Sequence, residues 1–136
     1  MRRLSYIFIL PLLFACSKDG DPQKPDSIYG YWTVKTPDDL TRVTFRIGVD
    51  SDSHPVVESA AVQHNGSDYT SEPVDASLIP VSSTEIESIT LRTTRFVIRF
   101  ENLTANADFT EMDIAHSIFT IDSVIREFSP IKATRN

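Results

Sequence analysis

The chain lacks the cysteines and paired histidines on which many small extracellular domains depend. It contains one cysteine and three histidines among 136 residues, so no disulfide can form within it and the fold must rest on an apolar core. No Cys-x-x-Cys or His-x-x-x-His pair indicates a zinc site. A Gly-x-Ser-x-Gly nucleophile elbow and a glycine-rich phosphate loop are also absent. These absences predict a protein that is not an enzyme and that holds no metal or other cofactor.

Positive charge is also scarce. Lys and Arg number 13 against 19 Asp and Glu, and the net charge is −6. Removal of residues 1–15, which contain Arg2 and Arg3 but no acidic residue, would change it to −8. An acidic chain repels nucleic acid phosphates, so the charge predicts no nucleic acid partner. An anionic membrane surface would repel it as well, so membrane attachment would have to come from a lipid.

Long apolar runs are missing except at the start of the chain. Residues 6–13 form one apolar run, which follows Arg2 and Arg3 and precedes the small residue Ala15. The run is far shorter than the roughly 20 residues that a membrane-spanning helix needs. A charged start, a short apolar stretch and a small residue are typical of a signal peptide, here predicted over residues 1–15.

The end of this signal, Leu13-Phe14-Ala15-Cys16, resembles the lipobox of bacterial lipoproteins. The resemblance implies that Cys16 becomes the acylated first residue of the mature protein and that its lipid is the contact with the membrane. Several acyl chains hold a protein firmly, whereas one binds only marginally. The alternative is an ordinary secretory signal with an unrelated cysteine.

Residues 16–27 are predicted to be the lipidated cysteine and a disordered tether, because prolines, glycine and charges dominate them. The acidic residues 17–21 resemble the export signal of surface-displayed lipoproteins, which implies an outer-membrane protein facing the cell surface. Asp26-Ser27-Ile28 and Asp122-Ser123-Val124 resemble a bacterial O-glycosylation triplet. The alternatives are a plain solvated spacer and chance matches.

From Ile28 onward the apolar residues recur with a period of two. Residues 42–50 alternate without a fault, and residues 95–101 repeat the pattern, which is typical of half-buried antiparallel strands. Residues 84–93 fit if a bulge near Glu87-Ser88 brings Ile86, Ile89 and Leu91 to one face. One β-domain is therefore predicted over residues 28–132, with a short tail over 133–136.

The remaining segments complete the predicted sheet. Residues 29–35 and 56–64 are rich in aromatic and β-branched residues, and Asn65-Gly66 predicts a type I′ turn that folds residues 67–70 back. Residues 71–81 indicate a loop or a broken edge strand, and residues 113–128 indicate one or two strands. Seven to eight antiparallel strands predict an all-β small barrel or sandwich.

The start of the first strand, Tyr29-Gly30-Tyr31-Trp32, resembles the Gly-x-Trp opening of lipocalins. The resemblance implies a barrel in which Trp32 closes one end. The competing interpretation is an immunoglobulin-like sandwich in which Trp32 is an ordinary core residue.

Few residues indicate a catalytic or metal-binding site. Asp50, Asp52 and His54 alternate as calcium ligands do, but the glycine and distal glutamate of a calcium loop are absent, so a solvated hairpin tip is the better interpretation. The nearby cations Arg92, Arg95 and Arg99 form either a basic strip or a set of cross-strand ion pairs.

Two functions therefore stand side by side. The first is a structural or interaction domain of an envelope assembly, which faces the cell surface or the periplasm and whose edge strands pair with a partner protein. The second is a lipocalin-like module for a small apolar ligand or glycan, with Tyr29, Tyr31, Trp32 and Tyr69 as an aromatic wall. A hollow interior would favour the second function and a packed one the first.

Overall fold

The computed structural model describes residues 26–70 and 72–136. The predicted signal peptide, the lipidated Cys16 and most of the tether lie outside these residues. Within them, no helix has the length and apolar character to cross a membrane. The described chain is all-β, with these strands: β1 Gly30–Lys35, β2 Thr41–Val49, β3 Pro55–His64, β4 Ser67–Asp68, β5 Asp75–Pro80, β6 Glu85–Arg92, β7 Phe96–Ala105, β8 Glu111–Ile121, β9 Val124–Phe128 and β10 Ile131–Arg135.

All ten strands belong to one antiparallel sheet in the order β4-β3-β2-β1-β10-β8-β7-β6-β5, and β9 also pairs with β8. The sheet curls into a half-barrel, so that β3 and β5 come to lie side by side. The all-β prediction is confirmed, but the predicted count of seven to eight strands is too low. The count rises because Asp75–Pro80, in the segment expected to be a loop or a broken edge strand, forms β5, and because the end of the chain adds β10. At that end, β9 and β10 pair in turn with the two halves of β8. Ser129 and Pro130 separate them, because proline has no N–H to donate to the ladder.

The C-terminal residues therefore have a larger role than their sequence indicates. The segment 113–128 contributes β8 and β9, as two strands. Ala133, Thr134 and Arg135, which were expected in the tail, belong to β10 and pair with Val34, Thr33 and Trp32 of β1. This pairing joins the two ends of the described chain in the middle of the sheet.

The predicted strand faces are confirmed for the central strands. In β2, Val43, Phe45 and Ile47 are buried and Arg42 and Arg46 are exposed. In β7, Phe96, Ile98 and Phe100 are likewise buried. Val49 departs from the pattern, since it is 47% exposed at the last position of β2. Alternation thus fixes the buried face until the strand leaves the sheet at a turn.

The bulge expected near Glu87-Ser88 is present. The pairing of β5 with β6 runs from Ile79 opposite Ser88 to Pro80 opposite Ile86, which leaves Glu87 as the extra residue. Ile86, Ile89 and Leu91 are consequently all buried on one face, since an extra residue reverses the parity of a strand.

The interior of the half-barrel is filled by aromatic rings. The ring centres of Phe45 in β2 and Phe100 in β7 are 5.9 Å apart. Those of Phe100 and Phe119 in β8 are 5.8 Å apart, and those of Phe119 and Phe128 in β9 are 5.7 Å apart. Within the described part, every buried side-chain nitrogen or oxygen has a hydrogen-bond partner. The core is therefore packed and internally satisfied, as native interiors are.

The strand order gives the half-barrel two ends. The start of β1, the end of β10 and the β2–β3, β5–β6 and β7–β8 turns lie at one end, which we call the Trp32 end. The β1–β2, β3–β4, β6–β7 and β8–β9 turns lie at the other, the Tyr69 end. Tyr69 and Thr70, which follow β4, and residues 72–74, which precede β5, also lie at the Tyr69 end.

Candidate functional site

The Trp32 end is closed by a clamp around the buried Trp32 ring. The Trp32 ring is fully buried and its Nε1 donates a hydrogen bond of 2.8 Å to the carbonyl of Ile28. The Arg135 guanidinium lies 4.4 Å from the centre of the same ring. Trp32 is thus held on its edge by the entering chain and on its face by the last strand.

Arg135 also binds three main-chain carbonyls in two segments of the chain. Its Nε donates to the Phe109 carbonyl at 2.7 Å, one terminal nitrogen donates to the Tyr29 carbonyl at 2.6 Å, and the other donates to the Ser27 carbonyl. Burial lowers the pKa of Arg135 from its usual value, although an arginine stays charged at any physiological pH. The guanidinium therefore helps to close this end of the half-barrel, because its N–H groups donate to carbonyls of the chain itself.

The Tyr69 end carries a different set of polar groups. The Tyr69 hydroxyl donates to an Asp122 carboxylate oxygen at 2.7 Å, and Arg95 contacts the same carboxylate at 3.3 Å. The Arg95 guanidinium lies 3.9 Å from the centre of the Tyr69 ring. The hydrogen bond from Tyr69, followed by that from Arg95, lowers the pKa of Asp122. Asp122 is thus an ionised carboxylate shared by two donors.

Arg126 of β9 forms a second polar cluster at this end. Its guanidinium donates to the Thr41 hydroxyl at 2.8 Å and to the carboxylate of Asp38 in the β1–β2 turn. Partial desolvation acts to raise the pKa of Asp38, but hydrogen bonds from Thr36 and Arg126 outweigh it and lower the pKa to about 2. This cluster joins the edge of β9 to the neighbouring turn through side chains.

Between the two clusters lies a surface depression of about 330 Å³. Its apolar lining comes from Leu40, Ile121 and Val124, and its remaining lining residues are His64, Asn65, Tyr69, Asp122 and Arg126. Leu40 is 43% exposed and Val124 is 59% exposed. An apolar concavity with converging polar groups is the usual form of a binding site, and we take this depression as the candidate functional site.

The residues predicted as one aromatic wall are dispersed. Trp32 is buried at its own end of the half-barrel, and Tyr69 is buried at the opposite end. Tyr29 and Tyr31 are exposed, and Tyr31 lies against Arg46 on the outer surface, 5.4 Å from the guanidinium to the ring centre. Of the four, only Tyr69 lines the depression.

The Asp50, Asp52 and His54 side chains do meet, with ligand atoms within 4.8 Å of one another, and all three are exposed. One Asp50 oxygen accepts the backbone N–H groups of Asp52 and His54 at 2.9 Å. The cluster is therefore explained by hydrogen bonds within the β2–β3 turn, as expected for a solvated hairpin tip.

Two of the three arginines considered as a basic strip, Arg95 and Arg99, are paired with acids. Arg95 binds Asp122, and Arg99 contacts Glu101 at 3.1 Å. Glu101 also lies 3.0 Å from His116 of β8, whose other ring nitrogen is 3.1 Å from Glu127 of β9. The outer face thus carries a cross-strand chain of charges from β7 to β9.

Sequence reasoning missed β9 and Arg126 as parts of the site. Val124 and Ile125 carry the apolar, β-branched signal of a strand, but nothing local indicates that the β1–β2 turn lies opposite them. That contact joins Arg126 to Asp38, which lies 88 positions earlier in the chain. Comparison with known proteins adds no family: no family model, no curated protein and no solved structure matches the chain.

Proposed function

We propose that this protein is a non-enzymatic interaction domain of a bacterial envelope assembly, held at the outer membrane by lipid on Cys16 and facing the cell surface. The filled interior is the observation that carries the proposal. Phe45, Phe100 and Phe119 occupy the space that a lipocalin-like ligand would need and are at most 1% exposed. A domain with a filled interior acts through its surface, and the Tyr69 end offers exposed apolar side chains beside a depression.

The course of the chain supports an orientation for this domain. Ser27 is bound by Arg135 at the Trp32 end, so the predicted tether would reach the domain there. A tether of residues 17–27 spans roughly 35 Å at most. The Tyr69 end would then point away from the membrane, toward a partner.

The polar groups at the Tyr69 end support a binding role over a catalytic one. Asp122 is engaged by Tyr69 and Arg95, and Asp38 is engaged by Thr36 and Arg126. Both carboxylates have lowered pKa values, which opposes a role as general base near neutral pH.

The alternative function is a lipocalin-like module for a small apolar ligand or glycan. Trp32 is buried at one end of a curled sheet, which agrees with what the Gly-x-Trp resemblance implies. A ligand in the interior would have to displace phenylalanine rings, whereas a ligand in the depression would contact Leu40.

Two fluorescence reporters separate these functions. Trp32 is the one tryptophan and reports the interior, while Leu40→Trp in a Trp32→Phe background reports the depression. Titration with palmitate, retinol and soluble oligosaccharides should leave both emissions unchanged. A saturable change at either reporter would establish the ligand-binding module in place of the interaction domain.

The anchor has its own test. Cys16→Ser should abolish retention in the membrane fraction, whereas Ser17→Ala should leave it intact. A Cys16→Ser protein that is processed and still sediments with membranes at the wild-type level would refute lipid attachment.

A further inference from the structure

The edge of β9 differs from the other edges of the sheet. β4 has two residues, β5 ends at Pro80, and β3 begins at Pro55 and contains a bulge at Glu58. Prolines, bulges and short length are the usual protections of an edge against pairing. β9 consists of Val124-Ile125-Arg126-Glu127-Phe128 and has neither proline nor bulge.

The register shows which backbone groups this edge presents. Ile121 pairs with Val124 across the two-residue turn Asp122-Ser123, whose φ angles of 51° and 68° fit type I′. Residues that flank such a turn exchange hydrogen bonds, and the pairing then alternates along the hairpin. Ile125 and Glu127 therefore direct their N–H and C=O groups away from β8. Among the described residues, no backbone hydrogen bond reaches these groups.

The space beyond this edge is spanned by a side chain. The β1–β2 turn lies opposite β9, and within the described residues no backbone hydrogen bond joins the two. Arg126 crosses to Thr41 and Asp38 instead. On one side of this crossing lies the depression lined by Leu40 and Val124.

We propose that β9 accepts an added strand from a partner protein, an extended segment with an apolar residue opposite Ile125 and a basic residue opposite Glu127. This inference rests on the proposed interaction function and names its site and partner chemistry. Strand addition gains affinity from main-chain hydrogen bonds and specificity from alternate side chains. Ile125 is 66% exposed, the highest value among the large apolar side chains described, and the Glu127 side chain is 58% exposed.

Charge complementarity favours a basic residue in the partner. Glu127 and Glu101 lie on either side of His116 on the outer face next to this edge. Opposite charges across a strand pair stabilise it, and like charges directly opposite destabilise it.

A second copy of this chain fits the edge poorly. Antiparallel self-pairing must match the outward residues, Ile125 and Glu127, with each other. Pairing Ile125 with Glu127 of the other copy sets Arg126 against Arg126. Pairing Glu127 with Glu127 sets two carboxylates together. Pairing Ile125 with Ile125 brings Glu127 opposite Ser123 in the turn, so that few residues can pair.

The test uses the full lipidated chain in detergent. Its probe is a fluorescent peptide of alternating valine and threonine with one central lysine. Ile125→Pro removes the outward N–H without breaking a bond to β8, and Ile125→Thr keeps that N–H. We expect saturable binding that Ile125→Pro weakens about tenfold or more and Ile125→Thr preserves, with slower amide exchange at Ile125 and Glu127.

The charge prediction is tested by exchange of signs. Glu127→Lys should reverse the preference between the lysine peptide and a peptide with glutamate in its place, and Glu87→Lys, an exposed glutamate on β6, should not. Binding that is unaffected by Ile125→Pro, or absent up to about 1 mM peptide, would overturn the inference. Dimerisation of the chain that Ile125→Pro abolishes would assign the edge to a second copy instead. Each of these outcomes can occur while the emission of both tryptophan reporters stays unchanged. Failure of this inference is therefore distinguishable from failure of the proposed function.

Discussion

The two ends of the half-barrel use the same residue types for opposite purposes. At the Trp32 end, a buried aromatic ring lies against a partly buried arginine, and the arginine donates to three backbone carbonyls. At the Tyr69 end, the stacked pair of Tyr69 and Arg95 binds a side-chain carboxylate, and the Arg95 side chain is 49% exposed. An arginine bound to main chain fixes segments of the fold, whereas one bound to an exposed carboxylate can exchange its partner.

The apolar residues show the same contrast. Trp32 is covered by Ile28 and Arg135, whereas Leu40 and Val124 remain exposed around the depression. A chain with no disulfide has to close at least one end of its core by packing. The other end is then available for contact with another molecule, and substitutions at the two ends should have different effects.

The largest difference is expected between Trp32→Ala and Leu40→Ala. Loss of a fully buried tryptophan should lower the free energy of unfolding by about 3–5 kcal/mol. Leu40→Ala, at an exposed position, should cost less than about 1 kcal/mol. Urea unfolding measures both. Similar losses would show that the Tyr69 end is as tightly packed as the Trp32 end.

The next largest difference in the free energy of unfolding is expected between substitutions of Arg135 and Arg95. Arg135→Lys keeps the charge but loses the planar fork that reaches three carbonyls, so we expect a loss of about 1.5–3 kcal/mol in the free energy of unfolding. Arg95→Lys should leave the unfolding midpoint almost unchanged, because exposed ion pairs contribute little. If the two variants unfold at the same urea concentration, Arg135 is not a clamp.

A smaller, local effect is expected for Asp38→Asn. It removes the charge that holds Arg126, so β9 should open more often while the rest of the sheet stays intact. Amide exchange should become faster in residues 124–128 and remain unchanged in β2 and β7. Asp39→Asn is the matched control, since Asp39 is a neighbouring exposed carboxylate with φ 61°, which asparagine also adopts. Equal exchange in the two variants would separate β9 from the Asp38 contact.

The smallest effect concerns pH. Hydrogen bonding to Glu101, followed by the charge of Glu127, raises the pKa of His116 above 6.5. A histidine whose pKa is higher in the folded than in the unfolded protein stabilises the fold. This stabilisation is fully present below the unfolded-state pKa and is lost as the pH rises through the folded-state pKa. The melting temperature should therefore fall slightly from about pH 6.5 upward, and His116→Gln should remove this slope. A slope that persists in His116→Gln would assign it to another group.

The same sheet could be predicted from sequence only where its signals are local. The alternation in β2 and β7, the bulge at Glu87 and the Asn65-Gly66 turn are each encoded within a few residues, and each is confirmed. The strand β10 depends on its pairing with β1, about 100 residues away in the chain, which no short window contains.

The candidate site could not be predicted from the sequence for a related reason. Tyr69 and Trp32 have similar chemistry, and only the topology places them at opposite ends. Arg126 and Asp38 lie far apart in the chain, and each alone resembles an ordinary surface charge. Topology, which sets the curl of the sheet, brings such residues together.

The Tyr69 end, and not the Trp32 end, should meet the partner. A photo-crosslinking amino acid placed singly at Leu40 or Val124 samples the first end, and at Asp52 or Ser83 the second. In intact cells, the Leu40 and Val124 positions should give the same discrete adduct, and the Asp52 and Ser83 positions should give none. Adducts of equal yield from both ends, or from the Trp32 end alone, would contradict the account.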